Sequence, residues 1–327
     1  MHKNTILIPG KGTYKIVDIE TGKVSTSKQP QHSSKKVNDI MLEADGERHL
    51  LYRIEDKFIT FFLTSKCNHK CIMCPQQLGI DSPDNDLIVQ RVIDNLDYSN
   101  IDGICFTGGE PLLKMKYIDQ VVKEAPENIL VTILSNGSIM PSKTILDSER
   151  CKICVPIYAS YDELHNHLTG SKSFYKVIEN LMLISQHKIL IELRYVLTKQ
   201  NITMLEEFAR FIWRNFPFVQ DVAFMGMELT AEAKYNKDDL WINPKEYISS
   251  LLRAVEYLDQ CNITTWIYNL PYCLFNSNYH KFLVHSISNW KIRYLPVCDG
   301  CKLKATCGGM FFSDVNDFEK IITENVK

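Results

Sequence analysis

From Lys57 to Tyr268 the chain alternates short apolar runs with longer amphipathic stretches, and this alternation restricts the fold more than any other feature. Lys57–Thr64, Gly103–Thr107, Ile129–Leu134, Ile153–Ala159, Ile189–Leu197, Val219–Met225 and Thr264–Tyr268 read as strands. Leu87–Tyr98, Leu112–Glu124, Ser142–Glu149, Ser173–His187, Met204–Asn215 and Lys245–Asp259 read as the helices between them. Six or seven strand–helix units in succession predict an α/β fold with a parallel sheet, wound right-handed into a full or partial barrel. In such a barrel the loops after the carboxyl ends of the strands build the site.

The flanks differ. Residues 1–56 read as a small β-rich extension, with short strands at Ile6–Ile8, Tyr14–Ile19 and Leu50–Ile54 and a polar loop over Ser25–Lys36. Residues 57–270 form the barrel, and 271–327 a cysteine-rich tail. The opening MHKNTILIPGKG breaks at Pro9 and Gly10, so it does not read as a secretory segment, and no apolar run approaches a membrane span. Net charge is −2, which gives no global basic field to recruit nucleic acid. The expectation is a cytoplasmic protein. There, eleven cysteines in clusters point to metal binding and not to disulfides.

The first cluster is TSKCNHKCIMCP, which spaces Cys67, Cys71 and Cys74 as C-x3-C-x2-C directly after the first barrel strand. Three thiolates on one tight loop suit a metal site. A four-iron cluster normally takes four, so three either borrow a distant fourth or leave one iron open for chemistry. One unit later Gly108-Gly109-Glu110-Pro111 joins a strand to a helix: the glycines allow close backbone approach to a ligand, Glu110 can accept from an ammonium group, and Pro111 suits a first helical turn. Ser135-Asn136 ends the third strand. These three loops should converge in space.

Other residues carry plainer readings. Cys105 and Cys261 read as core, and Cys151 with Cys154 as a buried pair of free thiols. His69 reads as a loop residue and not a ligand. His165 and His167 fall on a loop after the fourth strand, where they could position substrate, move a proton, or be ordinary surface histidines. Trp266 and Tyr268 read as core.

The pairing of the three-cysteine loop with GGEP resembles the radical S-adenosylmethionine (SAM) superfamily. The resemblance implies a partial (βα)6 TIM-like barrel and a [4Fe-4S] cluster held by Cys67, Cys71 and Cys74. It also implies that SAM binds the open iron and is cleaved to methionine and a 5′-deoxyadenosyl radical that abstracts hydrogen from substrate. Gly108, Gly109 and Glu110 match the motif that receives the methionyl amino group. Met73 matches the bulky position whose backbone lies near the adenine. Ser135, Asn136, Ser160 and Arg194 occupy positions that contact the SAM ribose or carboxylate in this superfamily. The guanidinium of Arg194 suits a carboxylate bidentately, with an ion pair inside the barrel as the rival reading.

Over Phe58 to Asp314 the segments FTGGEPLL, PIYASYDELHNHLTG, IELRYVL, LWINPKEY and IYNLPYCL look like the C-type radical SAM maturase of the His-Xaa-Ser system. That resemblance implies a precursor peptide as substrate, a companion radical SAM maturase, and a flavodoxin or ferredoxin as reductant. In the tail, Cys298, Cys301 and Cys307 are similar to auxiliary-cluster regions of peptide-maturing relatives, although Gly308-Gly309-Met310 stand where a longer pattern carries another cysteine. Cys273 completes a set of four for a second iron–sulfur cluster, with a structural zinc as the rival. An RNA or small-molecule substrate, or a non-catalytic iron–sulfur scaffold, are the competing functions.

Overall fold

A computed structural model describes residues 5–9, 13–28, 39–44, 47–55, 57–76 and 85–323. Five strands open the chain: β1 (Thr5–Pro9), β2 (Thr13–Asp18), β3 (Val24–Lys28), β4 (Ile40–Ala44) and β5 (Glu47–Tyr52), in an antiparallel sheet ordered β3-β2-β1-β4-β5. The expected loop over Ser25–Lys36 is in part this third strand; residues 29–38 lie outside the described ones. Val24, Ser25, Thr26 and Ser27 are exposed, and with Val24 as the one apolar residue the strand carries no alternation by which to recognise an edge strand.

A second sheet follows. Its strands are β6 (Ile54–Glu55), β7 (Phe58–Phe62), β8 (Gly103–Thr107), β9 (Leu130–Leu134), β10 (Cys151–Pro156), β11 (Leu190–Val196), β12 (Asp221–Met225), β13 (Thr264–Tyr268) and β14 (Leu283–Val284). They pair in chain order, parallel from β7 to β14. The connecting helices are α1 (Asn85–Asn95), α2 (Met115–Glu124), α3 (Lys143–Leu146), α4 (Asp162–Thr169), α5 (Phe174–Ile184), α6 (Leu205–Asn215), α7 (Ala231–Tyr235), α8 (Lys237–Leu240) and α9 (Ile248–Gln260). The tail adds β15 (Ile292–Arg293), β16 (Met310–Phe311) and α10 (Val315–Thr323). The fold is thus α/β around a parallel central sheet, with a cysteine-rich C-terminal region.

Side-chain alternation explains how this sheet is held. Ile104, Phe106, Ile133, Ile153, Leu193, Val222, Phe224 and Ile267 point outward and are all 0% exposed. Each contributes about 1.5–3 kcal/mol by leaving water. The alternate positions face inward and are mostly polar: Cys105, Lys152, Glu192, Arg194, Asp221 and Tyr268. The nine strands run in one open order from β6 to β14, an incomplete barrel whose lumen these polar residues face.

The N-terminal sheet lies against α1. Arg91 donates from Nε to the Ile19 carbonyl at 3.1 Å, and Lys15 reaches the Asn95 carbonyl at 2.9 Å. Tyr52 packs on Phe61 of β7, with ring centroids 4.5 Å apart. The apolar core is continuous from Ile6 and Val17 into the barrel's outer layer.

No helix among the described residues is long and apolar enough to cross a membrane.

Candidate functional site at the carboxyl ends of the strands

The cysteine loop leaves β7 at Leu63 and is fastened on three sides. On the first, Gly109 donates its N–H to the Thr64 carbonyl at 2.7 Å and Glu110 to the Lys66 carbonyl at 2.9 Å. A Cβ on Gly108 would stand 2.3 Å from the Thr64 oxygen, and one on Gly109 only 2.2 Å from the Lys66 oxygen. Gly108 also holds φ of +143°, which side chains rarely adopt. The two glycines thus allow a close approach to the backbone of the cysteine loop itself.

On the second side, Lys70 and Ile72 donate their N–H groups to the carbonyls of Thr169 and Leu168 at the end of α4, each at 3.0 Å. Gly170 ends that helix at φ +59°, where a Cβ would meet the Lys70 oxygen at 2.4 Å. On the third, Asn236 Nδ2 reaches the Ile72 carbonyl at 3.0 Å, and Thr230 Oγ1 the Pro75 carbonyl at 2.9 Å.

Glu110 joins the second strand's loop to the third's. Its carboxylate is 0% exposed. Oε1 accepts from Ser135 Oγ at 2.9 Å and from the Leu112 N–H at 3.0 Å, and Oε2 accepts the Asn136 N–H at 2.7 Å. Burial raises its pKa, and these three donors partly offset the rise. So enclosed, the carboxylate braces two loops, which leaves backbone groups of the motif to face a ligand. Asn136 carries the chain of contacts back to the cysteines: its Nδ2 donates to Asn68 Oδ1 at 2.7 Å and lies 3.9 Å from Cys67 Sγ. Asn68 also donates to Ser138 Oγ at 2.8 Å; a loop asparagine carries no signal of its own in a sequence.

The three thiols influence one another. Burial pushes Cys71 up to about 12, with the charges of Cys74 and Cys67 adding to it. Cys67 and Cys74 are raised as well, mainly by burial. Cys67 Sγ accepts the His69 N–H at 3.4 Å, the kind of contact that favours a thiolate. Among the described residues no three His, Cys, Asp or Glu side chains gather to grip a single metal ion. A polynuclear cluster takes one thiolate at each metal corner, so its ligands need not meet at a point.

The remaining expected residues have partners of their own. Met73 is 3% exposed and packs in a small apolar cluster with Tyr158, Leu168, Met227 and Leu229. Ser160 Oγ donates to Glu207 Oε1 at 2.7 Å. Arg194 lies in the lumen and donates from Nε to Glu192 Oε1 at 2.6 Å, with the Tyr268 ring 6.0 Å from its guanidinium carbon. Lys152 bridges Glu192 at 2.8 Å and Asp221 at 2.5 Å, and Trp266 Nε1 donates to Asp221 at 3.0 Å. The ion-pair reading of Arg194 is therefore present in the structure.

The reading of His165 as a loop or surface residue does not hold. His165 and His167 lie on α4, and His165 is 1% exposed. Asp162 and Glu163 in the first turn and Gly170 after the last were the available signal. Cys151 and Cys154 are both buried on β10, three positions apart, and so point to opposite faces of the strand.

In the tail, Cys273, Cys298, Cys301 and Cys307 line one small cavity together with Tyr272, Tyr294 and Met310. Burial pushes Cys273 up to about 11, with Cys307, Cys298 and Cys301 contributing. The N–H groups of Tyr272 and Gly309 each donate to Cys307 Sγ at 3.4 Å.

Residues 61–212 match the model of the radical SAM superfamily, and the chain thus carries a radical SAM domain. It is 26% identical over 130 residues to a probable GTP 3′,8-cyclase of Halobacterium salinarum, a match covering 36% of each chain. It is 22% identical over 321 residues to the radical SAM cyclopropyl synthase TigE of Paramaledivibacter caminithermalis, covering 88% of this chain and 66% of that one. Its fold is similar to Streptococcus suis SuiB crystallised with the precursor peptide SuiA: TM-score 0.52 at 17% identity, over 77% of this chain and 55% of SuiB. The chain therefore spans about a third of the cyclase and little more than half of SuiB.

Proposed function

We propose that this radical SAM domain modifies a ribosomally made precursor peptide of the His-Xaa-Ser type. In this reading Cys67, Cys71 and Cys74 hold a [4Fe-4S] cluster and leave one iron for SAM. The observation that carries it is the bracing of three strand-end loops against one another. Cys67, Glu110 and Asn136 form one connected set on the face where barrel enzymes place their chemistry.

The residues fit such a group. Three mutually influencing thiols share one loop, and Cys67 already receives an N–H. Backbone of the Gly108–Glu110 turn and the side chains of Asn136, Ser160 and Arg194 are the candidates for orienting the methionyl, ribose and carboxylate parts of SAM, and the backbone of Met73 for the adenine. Ser135 is committed to Glu110 and acts by holding that carboxylate. Bound there, cluster and SAM would supply a 5′-deoxyadenosyl radical for hydrogen abstraction, while the protein orients the reactants and excludes water. A cleft lined by Met73, Met225, Met227, Glu228 and Asn269 offers a place for substrate beside the loop.

A peptide substrate is supported over a nucleotide by the similar fold crystallised with a precursor peptide, and the cyclase match covers only 36% of the chain. In the same reading Cys273, Cys298, Cys301 and Cys307 ligate a second iron–sulfur cluster, and a companion maturase and a flavodoxin or ferredoxin complete the system.

Anaerobic reconstitution followed by dithionite and SAM should yield 5′-deoxyadenosine, and Cys67→Ala should abolish it. Co-expression with a His-Xaa-Ser precursor should change the peptide's mass. Deoxyadenosine production with an unchanged peptide would transfer the reading to another substrate class.

A further inference from the structure

Two buried imidazoles lie outside the ligand sets above, one in the cysteine loop and one on the helix packed behind it. His69 is 2% exposed and His165 1%. Among the described residues, neither ring nitrogen of His69 nor Nε2 of His165 has a hydrogen-bond partner. Leaving one such buried group unpaired costs about 1–3 kcal/mol, so three in one region call for partners. The loop that carries His69 is pinned to the helix that carries His165, with the Lys70 and Ile72 N–H groups donating to the Thr169 and Leu168 carbonyls at 3.0 Å.

His165 is rigidly placed. Its Nδ1 accepts the Tyr158 N–H at 3.3 Å. Its ring stacks on Tyr158 at 5.9 Å and meets Phe174 edge-on at 5.4 Å. Because Nδ1 is the acceptor, the proton of the neutral ring sits on Nε2, the orphaned atom. His69 belongs to the loop, and its backbone N–H is the group that donates to Cys67 Sγ at 3.4 Å. Anchoring the His69 ring therefore fixes the direction of that N–H.

We propose that His165 is a positioning residue for the cysteine loop: its Nε2–H bonds to the His69 ring through one buried water, and so aims the His69 N–H at the Cys67 sulfur. The proposal rests on the reading of Cys67 as a cluster ligand. Hydrogen bonds to ligand sulfurs stabilise the reduced, more negative cluster and raise its reduction potential. The consequence is a tuned potential, beyond a tethered loop.

The test is a redox titration followed by electron paramagnetic resonance on the reconstituted full chain. His165→Leu and His69→Leu should each shift the midpoint to more negative potential at unchanged iron content. The double variant should shift no further than either single one, and His165→Gln, which keeps an N–H donor, should restore the wild-type value. A wild-type midpoint in both single variants, additive shifts, or iron loss without a shift in His165→Gln would each overturn the proposal. Ring ¹⁵N–¹H spectra of the metal-free chain give a second, independent reading. His165 should appear as the Nε2–H tautomer with a proton protected from exchange; a solvent-exchanging proton there overturns the pairing. A wild-type chain that assembles no paramagnetic cluster would instead refute the functional reading, and the spectra would still judge the pair.

Discussion

Glu110 accepts the backbone N–H of Asn136 at 2.7 Å through a carboxylate that is wholly buried. This bond joins the end of β8 to the end of β9, and through Asn136 it reaches the sulfur of Cys67. A glutamate expected from the sequence to accept from a ligand's ammonium group thus has its oxygens committed to the scaffold. Glu110→Gln keeps the shape but offers one acceptor oxygen in place of two, so either the Asn136 N–H or the Ser135 and Leu112 donors lose their partner. We expect a loss of about 1–3 kcal/mol in stability and weaker SAM binding. Urea unfolding and equilibrium dialysis with SAM check the two parts separately. Retention of full stability would mean that the three bonds are dispensable.

Gly109 tests the seat of the loop. A Cβ there would stand 2.2 Å from the Lys66 carbonyl oxygen and 2.6 Å from its carbon, both backbone atoms that cannot swing away. Gly109→Ala should displace the cysteine loop, cost about 2–4 kcal/mol and reduce iron incorporation several-fold. Gly300→Ala has open space around its Cβ and should leave stability within about 0.5 kcal/mol of the parent. Iron analysis and thermal unfolding on both variants make the comparison.

The two cysteine sets should load independently. Cys307 receives two backbone N–H groups and shares its cavity with Cys273, Cys298 and Cys301. Cys307→Ala is expected to lower iron from roughly eight to roughly four atoms per chain while deoxyadenosine formation from SAM survives. Four zinc-free iron atoms in the parent chain, or bound zinc in the tail, would assign the second site differently.

Much of this was legible in the sequence, and the rest failed for identifiable reasons. The parallel strands announced themselves because their outward residues, such as Ile104 and Phe106, are apolar and sit between helices of period 3.6. Their inward residues were harder. In β11 the run LIELRYV hides Glu192 and Arg194 among apolar neighbours, and only the two-residue period separates the two faces. Strand β3 has a single apolar residue, the exposed Val24, and α4 is a short helix marked only by Asp162, Glu163 and its capping Gly170. Glu110 reads as a ligand group in a loop; that its oxygens face inward depends on Ser135 and Asn136, one unit further along the chain.

Asp314 gives a pH-dependent signature. It is 1% exposed, accepts the Leu229 N–H at 3.0 Å, and burial pushes its pKa up to about 6 from an ordinary 3.8. The folded chain therefore holds this proton more tightly than the unfolded one. Its contribution to stability is full below about pH 4 and is lost as pH rises through 6. Asp314→Asn removes the ionisation and keeps an acceptor. The variant should match the parent near pH 4 and exceed it by about 1–3 kcal/mol at pH 8. Equal stability of the two at pH 8 would show that the buried carboxyl carries no such strain.

The lumen network gives the opposite sign. Burial disfavours the Lys152 ammonium, but Asp221 and Glu192 outweigh it and hold the pKa above its usual value. For Glu192 burial is likewise outweighed, by Arg194 and Lys152, so that carboxyl titrates below its usual range. Stability from Glu192 is present above the ordinary carboxylate pKa and is lost as pH falls through its lowered value. Lys152→Met leaves Glu192, whose side chain is only 3% exposed, with Arg194 as its cation, and Asp221 with the Trp266 N–H but no cation. We expect a cost of about 3 kcal/mol at pH 7, since removing one partner from a buried network leaves its carboxylates under-compensated. The deficit should shrink below about pH 4, where these carboxylates take up protons, and Lys152→Arg should recover most of it. Urea midpoints across pH 3–8 for the three chains decide the matter: a pH-independent deficit in Lys152→Met would mean that the side chain acts by packing, and that the charges inside the barrel are already satisfied without it.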